Sequence, residues 1–338
     1  MSGIMSELGL TTEQTRLLFS YQYALTLNDV NVEKNEEKKI SKKKWLQKWK
    51  SSTENFLLKN KKTNGKRKLT KDYSKLIIEV KNESATLEIT TPLYLILLET
   101  TFFTPYYQLS KTANKAFKGL KINKKNKLNE LYKFAESLNI EKEIVDKYNS
   151  SLKKSLQGLT KMWQKLLTGG LVGAIVIAIT AGFAAPIIGP LFAAGGLSGA
   201  AAISAGLAAL GGGAIAAGGL GIAGGIAVIV GGGAILGAGA GAGVGSLLKA
   251  SPDFALTQAA KLEVVMKEIT LNIQKDIRIA QELIKEQRLA VNKFENELLE
   301  LKKDREKNKE QIKNLAKSIK YLKMSIDRNE DLYTKAAN

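Results

Sequence analysis

Lys42, Lys43 and Lys44 lead into Trp45, Lys48 and Lys50 bracket Trp49, and Lys61, Lys62, Lys66, Arg67 and Lys68 follow. Residues of these types at this density suit one kind of chemistry, the capture of an anionic surface. A lysine near anionic headgroups gains about 1 kcal/mol, and a tryptophan seats its ring at the boundary between headgroups and acyl chains. Residues 34–71 hold 15 basic groups against three acidic ones, Glu36, Glu37 and Glu54. Three readings fit the block: anionic lipid, nucleic-acid phosphate, or a solvated face with no ligand. Only six of the 51 basic residues are arginine, the side chain suited to bidentate base and phosphate readout. Lipid is therefore the preferred partner and nucleic acid the lesser one.

The missing residue types narrow the chemistry further. There is no Cys and no His. Disulfides, thiolate nucleophiles, Cys/His zinc sites, Ser-His-Asp triads and an imidazole base are all excluded. Acidic pairs such as Glu36/Glu37 and Glu297/Glu300 lie among lysines at helical spacing and read as surface ion pairs. Gly219, Gly221 and Gly224 match G-x-G-x-x-G, but the stretch is so glycine-rich that the match is expected by chance. No acidic partner stands before Asp253. The expectation is a protein without catalytic activity, metal or cofactor.

These groups are unevenly placed along the 338 residues. Of a net charge of +19, residues 1–165 carry +15 and residues 249–338 carry +4, while residues 166–248 contain no charged side chain and 25 of the 30 glycines. A bilayer pass takes about 20 apolar residues, so the uncharged stretch reads as a membrane segment of two to four helices. Glycine costs a water-exposed helix about 1 kcal/mol relative to alanine, whereas small residues let membrane helices approach closely. Gly233, Gly237, Gly241 and Gly245 form one stripe at four-residue spacing, and Gly195/Gly199 and Gly221/Gly225 repeat it. The competing reading is a Gly/Ala-rich hairpin buried in a soluble bundle. Basic residues on both flanks, Lys161 and Lys165 before and Lys249 after, put both ends on one side of the membrane.

The elements that would position these features are mainly helical. Thr11 or Thr12 caps a helix to about residue 27, and 28–44 reads as a loop or frayed helix start. A basic amphipathic helix covers 45–59. The β-rich runs 76–80 and 85–90 around a polar turn predict a hairpin. Pro92 opens a helix that is interrupted near Pro105. Apolar residues from Leu128 to Leu166 step helically. From Val291 to Ile326 they step by three and four in a row broken only by Arg305 and Asn308, and Leu262 to Ile284 extend the row with a slip in phase. Read as one helix over 254–335, this would be roughly 120 Å long. The expected fold is thus a helical bundle with a long coiled-coil-like C-terminal helix, a Gly/Ala-rich transmembrane head and a small N-terminal part with one β-hairpin. Its units are 1–120 (a basic α+β domain), 121–165 (a long helix), 166–248 (the membrane segment) and 249–338 (the heptad helix).

Over residues 127–338 the layout resembles the α-helical pore-forming toxins of the cytolysin A and haemolysin BL class, with 127–166 and 254–333 as tail helices and 166–248 as the head. It also resembles the toxic transmembrane effectors of prokaryotic antiviral defence. The resemblance implies a pore-forming or membrane-depolarising effector that packs through its glycine stripes as a homo-oligomer, with a protein sensor or co-toxin subunit as a further partner. The alternative is a membrane anchor whose coiled coil tethers a protein, possibly a nucleic-acid-bound one. Met1–Leu27 contains Glu7, Glu13 and Arg16 and does not read as a secretory signal, so synthesis in the cytoplasm and action at the cell membrane are expected.

Overall fold

The first helix starts where the sequence places its cap. Thr11 Oγ1 accepts from Gln14 N, and Gln14 Oε1 accepts from Thr11 N, a reciprocal capping box. Helix α1 then runs Thr12–Val32. The computed structural model describes residues 9–59, 68–87, 90–106, 117, 119–164, 228–229, 248–249 and 252–338. After α1 come α2 (Glu36–Lys59), α3 (Tyr73–Ala85), α4 (Thr91–Phe102), α5 (Lys124–Ser137) and α6 (Glu143–Leu159). Past the uncharged stretch follow α7 (Pro252–Val264), a π-helix (Val265–Gln274), α8 (Ile277–Leu301), a 3-10 turn (Lys302–Asp304) and α9 (Arg305–Ala337). The described chain is mainly helical, as expected. Strands β1 (Gly9–Leu10) and β2 (Val228–Ile229) pair antiparallel, Gly9 opposite Ile229 and Leu10 opposite Val228.

The predicted hairpin at 76–90 is not formed. Asp72 Oδ1 accepts from Lys75 N and starts α3, in which Leu76 and Val80, four residues apart, bury on one face. Four-residue spacing of the buried pair outweighs the β-propensity of Ile77, Ile78 and Val80. The stretch 28–44, read as a loop or frayed helix start, is helical on both sides of a short turn, with Asn35 Oδ1 accepting from Lys38 N to start α2.

The long C-terminal helix is likewise corrected. The chain leaves α-helix at the π-helix, whose C-cap Lys275 is left-handed at φ 55, and restarts at α8, where Asp276 Oδ1 accepts from Arg278 N and Ile279 N. It turns again at Lys302–Asp304 and α9 folds back on α8, with Lys323–Glu295 at 2.6 Å and Arg288–Glu330 at 2.7 Å. The apolar seam is buried within the chain, between antiparallel partners.

The transmembrane and pore-forming expectations also need correcting. Among the described residues no helix is long and apolar enough to cross a membrane. The most apolar one, α4, has 12 residues and spends them on the core. The stretch on which the expectation rested, including Gly195, Gly199, Gly221, Gly225, Gly233, Gly237, Gly241 and Gly245, lies outside the described residues apart from 228–229 and 248.

The core is organised around α7, buried on every side from Phe254 to Val264. Contacts across the chain set the helix directions. Ser151 of α6 meets Glu268 of the π-helix, while Gly158 and Glu263 both meet Arg328 of α9. A Cβ on Gly158 would come within 2.3 Å of the Arg328 guanidinium, which already bonds Glu263 through two nitrogens. Helices α6 and α7 are therefore antiparallel. Lys261–Glu99 (2.5 Å) and Gln274–Thr91 place the end of α4 toward the start of α7. Asp29 near the end of α1 meets Tyr106 and Asn123, just beyond α4 and just before α5. Leu248 O accepts from Ser318 Oγ, and Lys249 pairs with Glu297 near the end of α8. Both flanks of the uncharged stretch, the α1–α2 turn and the α8–α9 turn thus lie at one end of the bundle.

Candidate membrane-binding face

Helix α2 sorts the lysine and tryptophan block into two faces. The inner face is Lys42, Trp45, Leu46, Trp49, Thr53 and Leu57, all buried. Trp45 and Trp49 stack with centroids 6.1 Å apart. Phe19 meets Trp49 edge-on at 6.2 Å, and Tyr106 meets Trp45 at 5.3 Å. These tryptophans pin α2 to α1 and to the chain beyond α4, so they are not interfacial seats. The reason is geometric. Positions 42, 45, 46, 49, 53 and 57 recur at three- and four-residue steps, the stripe of a helix that packs on a core.

Lys42 is not a surface cation either. Its side chain is 3 % exposed, with Nζ 2.7 Å from Asp29 Oδ2 and 2.9 Å from Glu33 Oε2. Asp29 also accepts from Tyr106 OH at 2.6 Å and from Asn123 N at 2.7 Å. Its two carboxylate oxygens thus join α1, α2, the chain after α4 and the start of α5. The hydrogen bond from Lys42 and then one from Asn35 N hold the Glu33 carboxyl below its ordinary range. Burial, then the Asp29 bond, push the Tyr106 phenol upward. Lys50 is half-buried and pairs with Glu54 at 2.9 Å.

The outer face is what remains for a ligand. Lys43, Lys44 and Lys48 are exposed and share one side of α2 with Gln47. Lys48 Nζ also lies 5.5 Å from the Phe117 ring centroid. Lys68 is exposed after the helix, and Lys61, Lys62, Lys66 and Arg67 lie outside the described residues. Of the predicted lipid-binding set, the structure brings Lys43, Lys44 and Lys48 together on one accessible surface and assigns Lys42, Trp45 and Trp49 to the interior.

A second polar cluster was not anticipated. A cavity of 430 Å³ between α6 and the π-helix is lined by Ser151, Lys154, Lys267, Glu268 and Asn272 among others. Glu268 Oε1 accepts from Ser151 Oγ and lies 2.8 Å from Lys267 Nζ, while Oε2 accepts from Asn272 Nδ2 at 3.0 Å. Burial raises the Glu268 pKa, but the bonds from Lys267 and Ser151 outweigh it and the carboxyl stays below its ordinary range. It is a paired anion rather than a proton donor, and with Ser151 bonded to it and to Lys267 the cluster ties α6 to the π-helix. The slip in phase between Leu262 and Ile284 was its only trace in the sequence.

A family model described as a protein of unknown function, DUF726, matches residues 160–329, half of the chain. The chain belongs to the DUF726 family. The DUF726 stretch begins at the end of α6, takes in the whole uncharged segment, α7, the π-helix and α8, and ends inside α9. It excludes α2, so the basic face stands outside the part that defines DUF726 membership. No curated protein and no solved structure matches the chain.

Proposed function

We propose that the protein works by binding an anionic membrane surface, without a catalytic step, and that the outer face of α2 makes the first contact. The observation that carries this reading is the division of α2. Its tryptophans are spent on the core while Lys43, Lys44 and Lys48 are held outward on one rigid face. A rigid row of lysines favours an extended anionic surface over a bidentate pocket, because an ammonium is a point charge without the guanidinium fork. The uncharged stretch 166–248 supports the same reading, since a membrane surface is where apolar sequence and lysines are both accommodated. A tether working through a partner coiled coil is less well supported, because the seam it would need is already buried between α8 and α9.

Co-sedimentation with phosphatidylglycerol-containing vesicles tests this. At about 1 kcal/mol per lysine, loss of three weakens partitioning by about a hundredfold, and the Lys43→Glu/Lys44→Glu/Lys48→Glu variant is expected to lose at least that. Binding of the unaltered protein should fall as salt rises. Equal binding by the variant, or by neutral phosphatidylcholine vesicles, would remove α2 from the role.

A further inference from the structure

Four of the seven large apolar side chains exposed among the described residues lie at one end of the bundle. Val32 ends α1, Ile40 lies in the first turns of α2, Met162 follows α6, and Leu299 lies just before the α8–α9 turn. They are 44–59 % exposed. The other three, Ile78, Ile277 and Leu289, lie elsewhere on the helices. Single exposed apolar residues are ordinary, but their gathering at one end is informative for two reasons. The cations Lys34, Lys38, Lys161 and Lys303 are exposed beside them, with Glu36 and Glu37 exposed nearby and Lys303 paired to Glu300, and Lys43 and Lys44 one turn past Ile40 leave cations in excess. The same end also holds both flanks of the uncharged stretch, Leu159–Gln164 on α6's side and Leu248–Lys249 before α7.

From this we infer that the molecule meets an anionic lipid surface end-on, with Val32, Ile40, Met162 and Leu299 entering the headgroup layer and the lysines around them on the phosphates. The inference rests on the membrane-binding reading above and adds the orientation and the residues that enter. Charge complementarity selects the occupant. Apolar tips among cations in excess fit a surface that is anionic outside and apolar beneath, whereas an acidic protein groove would satisfy the lysines alone. End-on docking sets both flanks of the charge-free stretch against the surface together.

The absence of cysteine makes the test direct. Single cysteines replace Val32, Ile40, Met162 and Leu299, and in separate variants Ile78 and Leu289, each carrying a polarity-sensitive fluorophore. All six positions are exposed and outside the buried core, so the label has solvent to occupy. With phosphatidylglycerol–phosphatidylcholine vesicles, the four end positions should shift their emission to the blue and the two controls should not. Co-sedimentation with unchanged emission at the end positions, or with equal shifts at Ile78 and Leu289, overturns the end-on orientation and leaves surface binding standing. No co-sedimentation of any labelled protein overturns both.

Discussion

Lys127 is half-buried against the end of α4, its Nζ donating to Thr101 O at 2.8 Å and to Phe103 O at 2.7 Å. A cation there satisfies carbonyls that the helix end leaves unpaired. Burial nevertheless depresses its pKa to about 8 from 10.5. The folded protein therefore binds fewer protons than the unfolded chain between about pH 8 and 10.5, and stability rises with pH across that window. Lys261, depressed by burial against the opposing pull of Glu99, adds in the same sense. Tyr21, Tyr73, Tyr106 and Tyr148 are raised first by burial, so their stabilisation fades as pH climbs past 10. Urea-unfolding midpoints should climb from pH 8, crest near 10 and then fall, and Lys127→Gln should flatten the climb. Lys275 offers a second test. Its left-handed φ of 55 costs a lysine about 1 kcal/mol. Lys275→Gly should raise stability by about 0.5–1 kcal/mol in the same assay. Neither residue could be singled out from sequence, since both look like members of an abundant surface class.

Turns and phase slips were visible in the pattern at the scale of elements, but their meaning was not. Arg305 and Asn308 interrupt the apolar row beside the α8–α9 turn, and Asn308 Nδ2 donates to Leu301 O across it. The 3-4 spacing on either side fits a seam with any partner, and sequence alone does not say whether that partner is another chain or the same helix folded back. Nitroxides at Glu295→Cys and Lys323→Cys decide this in solution. Folded back, the labels broaden each other's spectra. In one continuous helix they would be about 42 Å apart and would not. The α1 cap and the Pro92 start of α4 were legible because each is a local signal, whereas the long helix expected over 121–165 divides into α5 and α6 at a turn around Asn139, whose left-handed φ of 57 the apolar stepping from Leu128 to Leu166 does not reveal. In the 76–90 segment the β-branched residues signal strand, but the four-residue spacing of Leu76 and Val80 decides the fold as helix.

For the whole molecule, the division of charge into three zones was plain in the sequence and remains its most distinctive property. What it did not disclose is that Lys42 belongs to Asp29 and that Trp45 and Trp49 belong to the core. Those assignments depend on Phe19, Phe103 and Tyr106, which chain topology brings together from far apart. The candidate face was thus half legible: the outward lysines followed from helical periodicity, and the inward ones required partners that only folding supplies.

The pairing of Gly9–Leu10 with Val228–Ile229 has a consequence for how the molecule comes into being. About 220 residues separate the two short strands, so on the ribosome the first must wait until the second emerges. Helices α1 to α6 can assemble during that interval from contacts already synthesised, because domains consolidate as chain becomes available. The ladder closes afterwards, α7 follows as it emerges, and α8 and α9 cover it last. Chain order therefore makes the α8–α9 hairpin, rather than the centre, the last part to take its place.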